Sequence, residues 1–310
     1  MKNRVRYIAK LTFTFFILIY FNSSTSKEYE TIKFSFSPGE NISFTQKLTA
    51  TKVKDMGNKG KQVDVSISST LVSMAKTNSG WNVRAEPKSI YMKRNGVEVN
   101  NPIVKLLSSV VMTYRLDNSG RILDVKGLEP FIEGLSKQMP PEVFKQLAPI
   151  LNIEVMKAKE MAEWNGRIGD YVGESVQIGD QLVADVPYQI PGGTTINYTV
   201  KTNIAAFVPC GNNKCVRIEQ FYDSQADSVA KMAGDVVSNV TEALAPELRK
   251  SGSESNTARI KGNVTRVIDP DTMLIYGEES SRTIEMEIDI PGMGLVPTKT
   301  TETRIYEFVY

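Results

Sequence analysis

Two residues in this chain can form a covalent bond with each other: Cys210 and Cys215, the only cysteines, in the segment Cys-Gly-Asn-Asn-Lys-Cys. Gly211, Asn212 and Asn213 are turn formers, and Ile204–Val208 and Val216–Tyr222 on either side are rich in β-branched and aromatic residues. The segment therefore reads as the tip of a β-hairpin whose sulfurs meet as a structural disulfide. A redox pair is disfavoured, because the spacing is not Cys-x-x-Cys and no βαβ pattern surrounds it. The chain contains no histidine. This removes the usual general base, every Ser/His/Asp or Cys/His nucleophile and every imidazole-dependent zinc site. Asp269-Pro270-Asp271 begins like a calcium loop, but the glycine and the bidentate glutamate such a loop needs are missing, so it reads as a turn. The expectation is a protein without catalytic set, metal or cofactor.

Composition sets the class. Hydrophobic residues make up 41% and charged residues 23% of 310, close to the soluble globular average and unlike a disordered or multi-spanning chain. At the start, Lys2, Arg4, Arg6 and Lys10 precede the apolar run Leu11–Phe21, and Asn22–Ser26 follows. That order is the signature of a secretory signal peptide over residues 1–26, leaving 27–310 as a single β-rich domain. The run is shorter than the roughly 20 residues that span a bilayer. No cysteine follows it to carry an acyl anchor, so the expected location is the periplasm or the extracellular space, without lipid anchoring. Cleavage removes four of the 37 basic residues and none of the 35 acidic ones, turning a net charge of +2 into about −2. A nucleic-acid partner, which asks for a basic stripe and a high pI, is not expected.

The elements that position these residues are mostly strands. Alternating patterns run through Tyr29–Lys54 on both sides of Ser37-Pro38-Gly39-Glu40, through Gln62–Ser73 and through Trp81–Met92. Val111–Val125 reads as a hairpin turning at Asp117-Asn118-Ser119-Gly120, and Ile196–Val208 alternates over a length that demands a long strand. Further strands flank Asp269–Thr272, cover Ile284–Ile290 and close the chain at Arg304–Tyr310. The period becomes helical near 129–163, where Phe131, Ile132, Leu135 and Met139 precede a Pro140-Pro141 break. It becomes helical again near 225–248, where Val229, Met232, Val236, Val237, Val240 and Leu244 form one stripe. The fold class expected is α+β: a large, strongly curved, mostly antiparallel sheet, half-barrel-like, with two helical segments packed on one face.

The order of these parts resembles a family of exported bacterial proteins of unknown function. The resemblance rests on the Phe-Ser-Pro-Gly-Glu-Asn strand at 36–41, the Tyr114–Gly127 hairpin, Val176-Gln177-Ile178-Gly179-Asp180 and the Asp269–Thr272 turn. More distantly the layout is similar to half-barrel lipid and lipoprotein carriers of the LolA/LolB type. That likeness implies a hydrophobic cavity between sheet and helices and a lipid or other hydrophobic small molecule as partner. Candidate cavity residues are Phe131, Leu135, Met139, Met232, Val236 and Val240, with Met156 and Met161 as further soft side chains. The alternative is a structural or adhesive envelope protein with a solid core, which meets an envelope protein partner through its surface.

Overall fold

The computed structural model describes residues 30–310 except 56, 58–59, 101, 149–150, 190–194, 226–228, 230–254 and 291–293. The signal-peptide expectation and most of the 225–248 helix therefore lie outside the described residues. In chain order the elements are β1 (Thr31–Lys33), β2 (Asn41–Asp55), β3 (Lys61–Thr77), β4 (Gly80–Arg94), β5 (Val97–Glu98), α1 (Pro102–Leu107), β6 (Met112–Leu116) and β7 (Ile122–Lys126). Then come α2 (Glu129–Gln138), α3 (Pro141–Leu147), α4 (Ile153–Trp164), a π-helical turn at Asn165–Gly169, β8 (Ser175–Gln177) and β9 (Gln181–Gln189). The chain ends with β10 (Thr195–Cys210), β11 (Asn213–Ser224), β12 (Ser255–Ile268), β13 (Ile275–Ile290) and β14 (Gly294–Val309).

Among the described residues, twelve strands form one antiparallel sheet in the order β7-β6-β4-β3-β2-β14-β13-β12-β11-β10-β9, with β5 beside β4. The outermost strands β7 and β9 do not pair with each other, so the sheet is open. Two contiguous meanders, β2 to β7 and β9 to β14, are joined at a single seam where Thr45–Asp55 runs against Lys299–Val309. Strands of up to 17 residues are far longer than the usual five or six. Over such lengths the native twist accumulates, and register shifts at Ser69/Thr70, Arg115/Leu116, Ile204/Ala206 and Val267/Ile268 mark bulges that bend it further. The sheet thus acquires the curvature that the uninterrupted alternation of Ile196–Val208 demanded. One expectation was drawn too short: Ile284–Ile290 is not a separate strand but the far half of β13.

The main core lies on the concave face. It joins Val72, Met74, Trp81 and Val83 from one meander with Ile204, Val216, Ile218 and Ile268 from the other. The extended N-terminal stretch fills the space between them. Ile32, Phe34 and Phe36 are buried in strict alternation, Phe34 N–H donates to Glu174 O at 3.1 Å, and Ser35 N–H donates to Pro270 O at 2.8 Å. Beside it β1 pairs with β8 as a separate two-stranded ribbon. Gly120 shows how tight this packing is: its φ is +74°, and a Cβ there would stand 2.5 Å from the Phe36 ring. A smaller cluster of Ile196, Val229, Ala258 and Ile260 forms farther along the sheet.

The helical region follows the proline signals. Pro130 and Pro141 occupy first turns, where a missing N–H costs nothing, and Met139 is extended between α2 and α3. The α4 helix begins at Asn152, whose side chain accepts hydrogen bonds from Glu154 N and Val155 N.

The cysteines form the expected disulfide at the β10–β11 turn, with Cα atoms 5.7 Å apart. Cys210 lies opposite Asn213 and Cys215 opposite Val208, so the bond crosses the hairpin diagonally. The neighbouring Asp269 carboxylate caps its own turn by accepting from Asp271 N at 3.0 Å and receives Asn213 Nδ2 at 2.9 Å. Asp269 therefore ties two hairpin tips together, as a turn residue does.

Candidate functional site: a cavity under the roof helix

The strand rows that face the core are not covered equally. Over the β2–β4 and β14 end of the concave face, α4 and the π-helical turn form a roof that is pinned at several points. Trp164 Nε1–H donates to Gly120 O at 2.8 Å, Asn165 Oδ1 accepts from Ile122 N at 3.0 Å, and Arg121 pairs with Asp170 at 2.9 Å. The Trp164 ring also stacks on Tyr114, with centroids 5.9 Å apart. These ties fix the roof to the β6–β7 hairpin while leaving space beneath it.

That space is a partly open cavity of about 310 Å³. Its floor is apolar: Phe44, Val72, Ala85, Met112 and Phe308 come from five strands, and Phe36 and Met273–Ile275 close its inner side. The seam between the meanders runs through it, because Phe44 is on β2 and Phe308 on β14. The volume stands at the lower end of the roughly 300–1,000 Å³ typical of small-molecule sites.

Few polar groups reach the cavity. On the roof side are Glu160, Glu163 and Arg167, and on the sheet side Tyr114, Gln46 and Thr70. Glu160 is half-buried and receives the Tyr114 hydroxyl at 3.4 Å; burial and the neighbouring Glu163 charge push its carboxyl up from the usual carboxylate range. Arg167 lies over the Tyr306 ring at 5.2 Å and holds Glu278 at 3.1 Å. Arg266 contacts the same Glu278 oxygen and donates to Gln220 Oε1 at 3.2 Å. Burial opposes ionisation of Glu278, but the two guanidiniums outweigh it and hold the carboxyl below its ordinary range. The site offers a shaped apolar volume with charge at its margin. Among the described residues no cluster of His, Cys, Asp and Glu could hold a metal ion.

The residues proposed from sequence fall elsewhere or cannot be placed. Phe131 and Leu135 are on α2 and Met139 is extended just beyond its end, and none of the three is among the residues lining the cavity. Leu135 is buried, and α2 packs against α1 so closely that a Cβ on Gly134 would come 2.4 Å from Leu106 Cδ1. Met232, Val236 and Val240 lie outside the described residues; Val229, the first member of their stripe, is buried against the smaller cluster. Met156 and Met161 pack against the main core under α4. Sequence reasoning missed the strand residues of the floor, although the alternation of β2, β3 and β14 already grouped them by face.

Among the described residues no helix is long and apolar enough to cross a membrane. No protein-family model matches the chain, and no curated protein matches it by sequence. The resemblance to an exported family therefore rests on strand and turn patterns alone. Among solved structures the chain is similar to a structure of lipid–protein interactions in lipovitellin, with a TM-score of 0.40 and 11% identity over 88% of this chain. This chain spans about a quarter of that one, 25% of its length.

Proposed function

We propose that this protein is an exported, non-catalytic carrier that holds a hydrophobic or lipid-like molecule between the concave sheet and the α4 roof. The observation that carries the reading is the apolar cavity of about 310 Å³, which a solid structural core would have filled with side chains. Its walls include Met74, Met112 and Met273 with seven aromatic side chains, soft and broad surfaces suited to an irregular apolar guest. The disulfide supports an oxidising location outside the cytoplasm, in line with the charged and apolar start of the chain.

The test uses the neutral dye N-phenyl-1-naphthylamine, whose emission rises in apolar surroundings. The protein should enhance its fluorescence saturably, and organic extraction of the purified protein should release lipid-like material. Ala85→Trp, placed on the cavity floor, should abolish both while leaving the melting temperature nearly unchanged, since empty space accepts the added ring. In the solid-core alternative the dye does not bind, nothing is extracted, and the same substitution overpacks the core at about 1–3 kcal/mol.

A further inference from the structure

Immediately beyond Tyr306 the concave face changes character. The row that crosses the sheet there reads Arg94, Asp64, Lys52, Glu302, Arg282 in register on five successive strands, so these residues share the face that carries Tyr306 and Phe308. Charges alternate along the row, but they do not cancel. Glu302 is shared by two arginines, Arg282 at 2.7 Å and Arg304 at 2.7 Å, with Lys52 opposite it on β2. Glu278, two residues away from Ser280 in the adjoining row, is shared in the same manner by Arg167 and Arg266. Each trio of two guanidiniums and one carboxylate carries one excess positive charge.

The accessible ends of this system are Arg282 and Arg304, whose side chains are 45% and 41% exposed against 14% for Glu302. Arg304 is two residues before Tyr306 on β14 and shares its face, and because Tyr306 lines the cavity this places Arg304 next to the cavity margin. Among the described residues, the carboxylates that line the cavity come from the roof: Glu160, which receives the Tyr114 hydroxyl, and Glu163. An anion is therefore repelled from the helix and drawn to the sheet, where arginine forks match carboxylate or phosphate oxygens in bidentate fashion. Low-dielectric walls beside the arginines strengthen that attraction.

We propose that the occupant of the cavity is an anionic amphiphile, with its chain under α4 and its carboxylate or phosphate headgroup on Arg282 and Arg304. This rests on the carrier reading and specifies its ligand class. The chemistry is shared by a headgroup and by a free anion, so the test separates them.

Displacement of N-phenyl-1-naphthylamine is measured with dodecyl phosphate, dodecyl maltoside and dodecyltrimethylammonium, each below its critical micelle concentration, and with inorganic phosphate. Dodecyl phosphate should bind about tenfold more tightly than the maltoside, the gain of one charge-assisted contact, and the cation should bind most weakly. High salt should narrow the difference. Arg282→Gln with Arg304→Gln should remove the preference for phosphate while keeping the maltoside affinity, and the paired Lys variants should retain part of it. If the Gln variants do not fold, the ranking of the three probes on the native protein decides. Equal affinity for all three overturns the headgroup assignment but leaves the carrier reading standing. Failure of every dodecyl probe overturns the carrier reading itself, and inorganic phosphate bound as tightly as dodecyl phosphate shows a free-anion site instead.

Discussion

Replacing Glu278 with glutamine would leave Arg167 and Arg266 facing each other across a neutral amide. The Glu278 and Arg266 side chains are only 7% and 8% exposed, and that of Arg167 is 19% exposed, so water cannot replace the lost carboxylate. Removing one partner of a buried ion pair costs about 3–5 kcal/mol. For a domain of this size that is a fall of roughly 6–20 °C in melting temperature, at about 2–4 °C per kcal/mol. Glu302→Gln makes the same chemical change in a trio whose arginines are 41% and 45% exposed, so solvent compensates and the cost should be nearer 1 kcal/mol. The pH dependence gives a second reading of the same group. The Glu278 carboxyl is held below its ordinary value of 4.5, so its stabilisation is complete above that pH and is lost as the pH falls through the lower folded value. Urea denaturation at pH 7, 5 and 3.5 should show the native protein losing stability across the acidic interval, with a shallower loss for Glu278→Gln. Equal destabilisation by the two substitutions, or an unchanged acid slope in Glu278→Gln, would refute the buried-trio account.

Native thiol labelling should detect no free sulfhydryl, and replacing both cysteines with serine should cost about 2 kcal/mol without abolishing the fold, as expected for a short closed loop. Gly120→Ala should destabilise by more than about 2 kcal/mol, because it combines a left-handed backbone with collision against Phe36. Gly57→Ala, left-handed but facing open space, should cost only about 1 kcal/mol in the same thermal melts. Asn152→Ala removes the α4 cap and should cost about 1 kcal/mol by urea titration, and because α4 roofs the cavity it should also weaken dye binding.

Much of the fold was legible in the chain because strands and turns write locally. The Asp117–Gly120 hairpin, the disulfide tip and the long β10 strand each depend on residues within a short window. The cavity was harder to find, since its floor combines Phe44 and Val72 with Phe308, which are separated by more than half the chain. Alternation says that Phe44 and Gln46 share a face; it does not say that α4, rather than α2, lies above that face. The clean apolar stripe of Phe131, Leu135 and Met139 pointed to α2, whereas α4 mixes Met156 and Trp164 with Glu160 and Glu163 because it faces a cavity margin as well as a core. The arginine trios gave no local sign either. Glu302 and Arg304 occur in a strand whose two faces both carry polar residues, and only the pairing with β13 reveals which cation meets which carboxylate.

The seam between β2 and β14 has a consequence for how the chain acquires its structure. Within each meander paired residues are at most 52 positions apart, as at Val216 and Ile268, and most neighbours are successive hairpins, so both halves can form at modest loop-closure cost. The β2–β14 ladder instead brings together segments near opposite ends of the chain, which makes its closure the slow, entropically expensive step. Phe44 and Phe308 meet across that line, with ring centroids 6.1 Å apart, and both belong to the cavity floor. An apolar guest that touches both would bind only after the halves have docked and would hold them together, and under the carrier proposal assembly and loading would then be linked events.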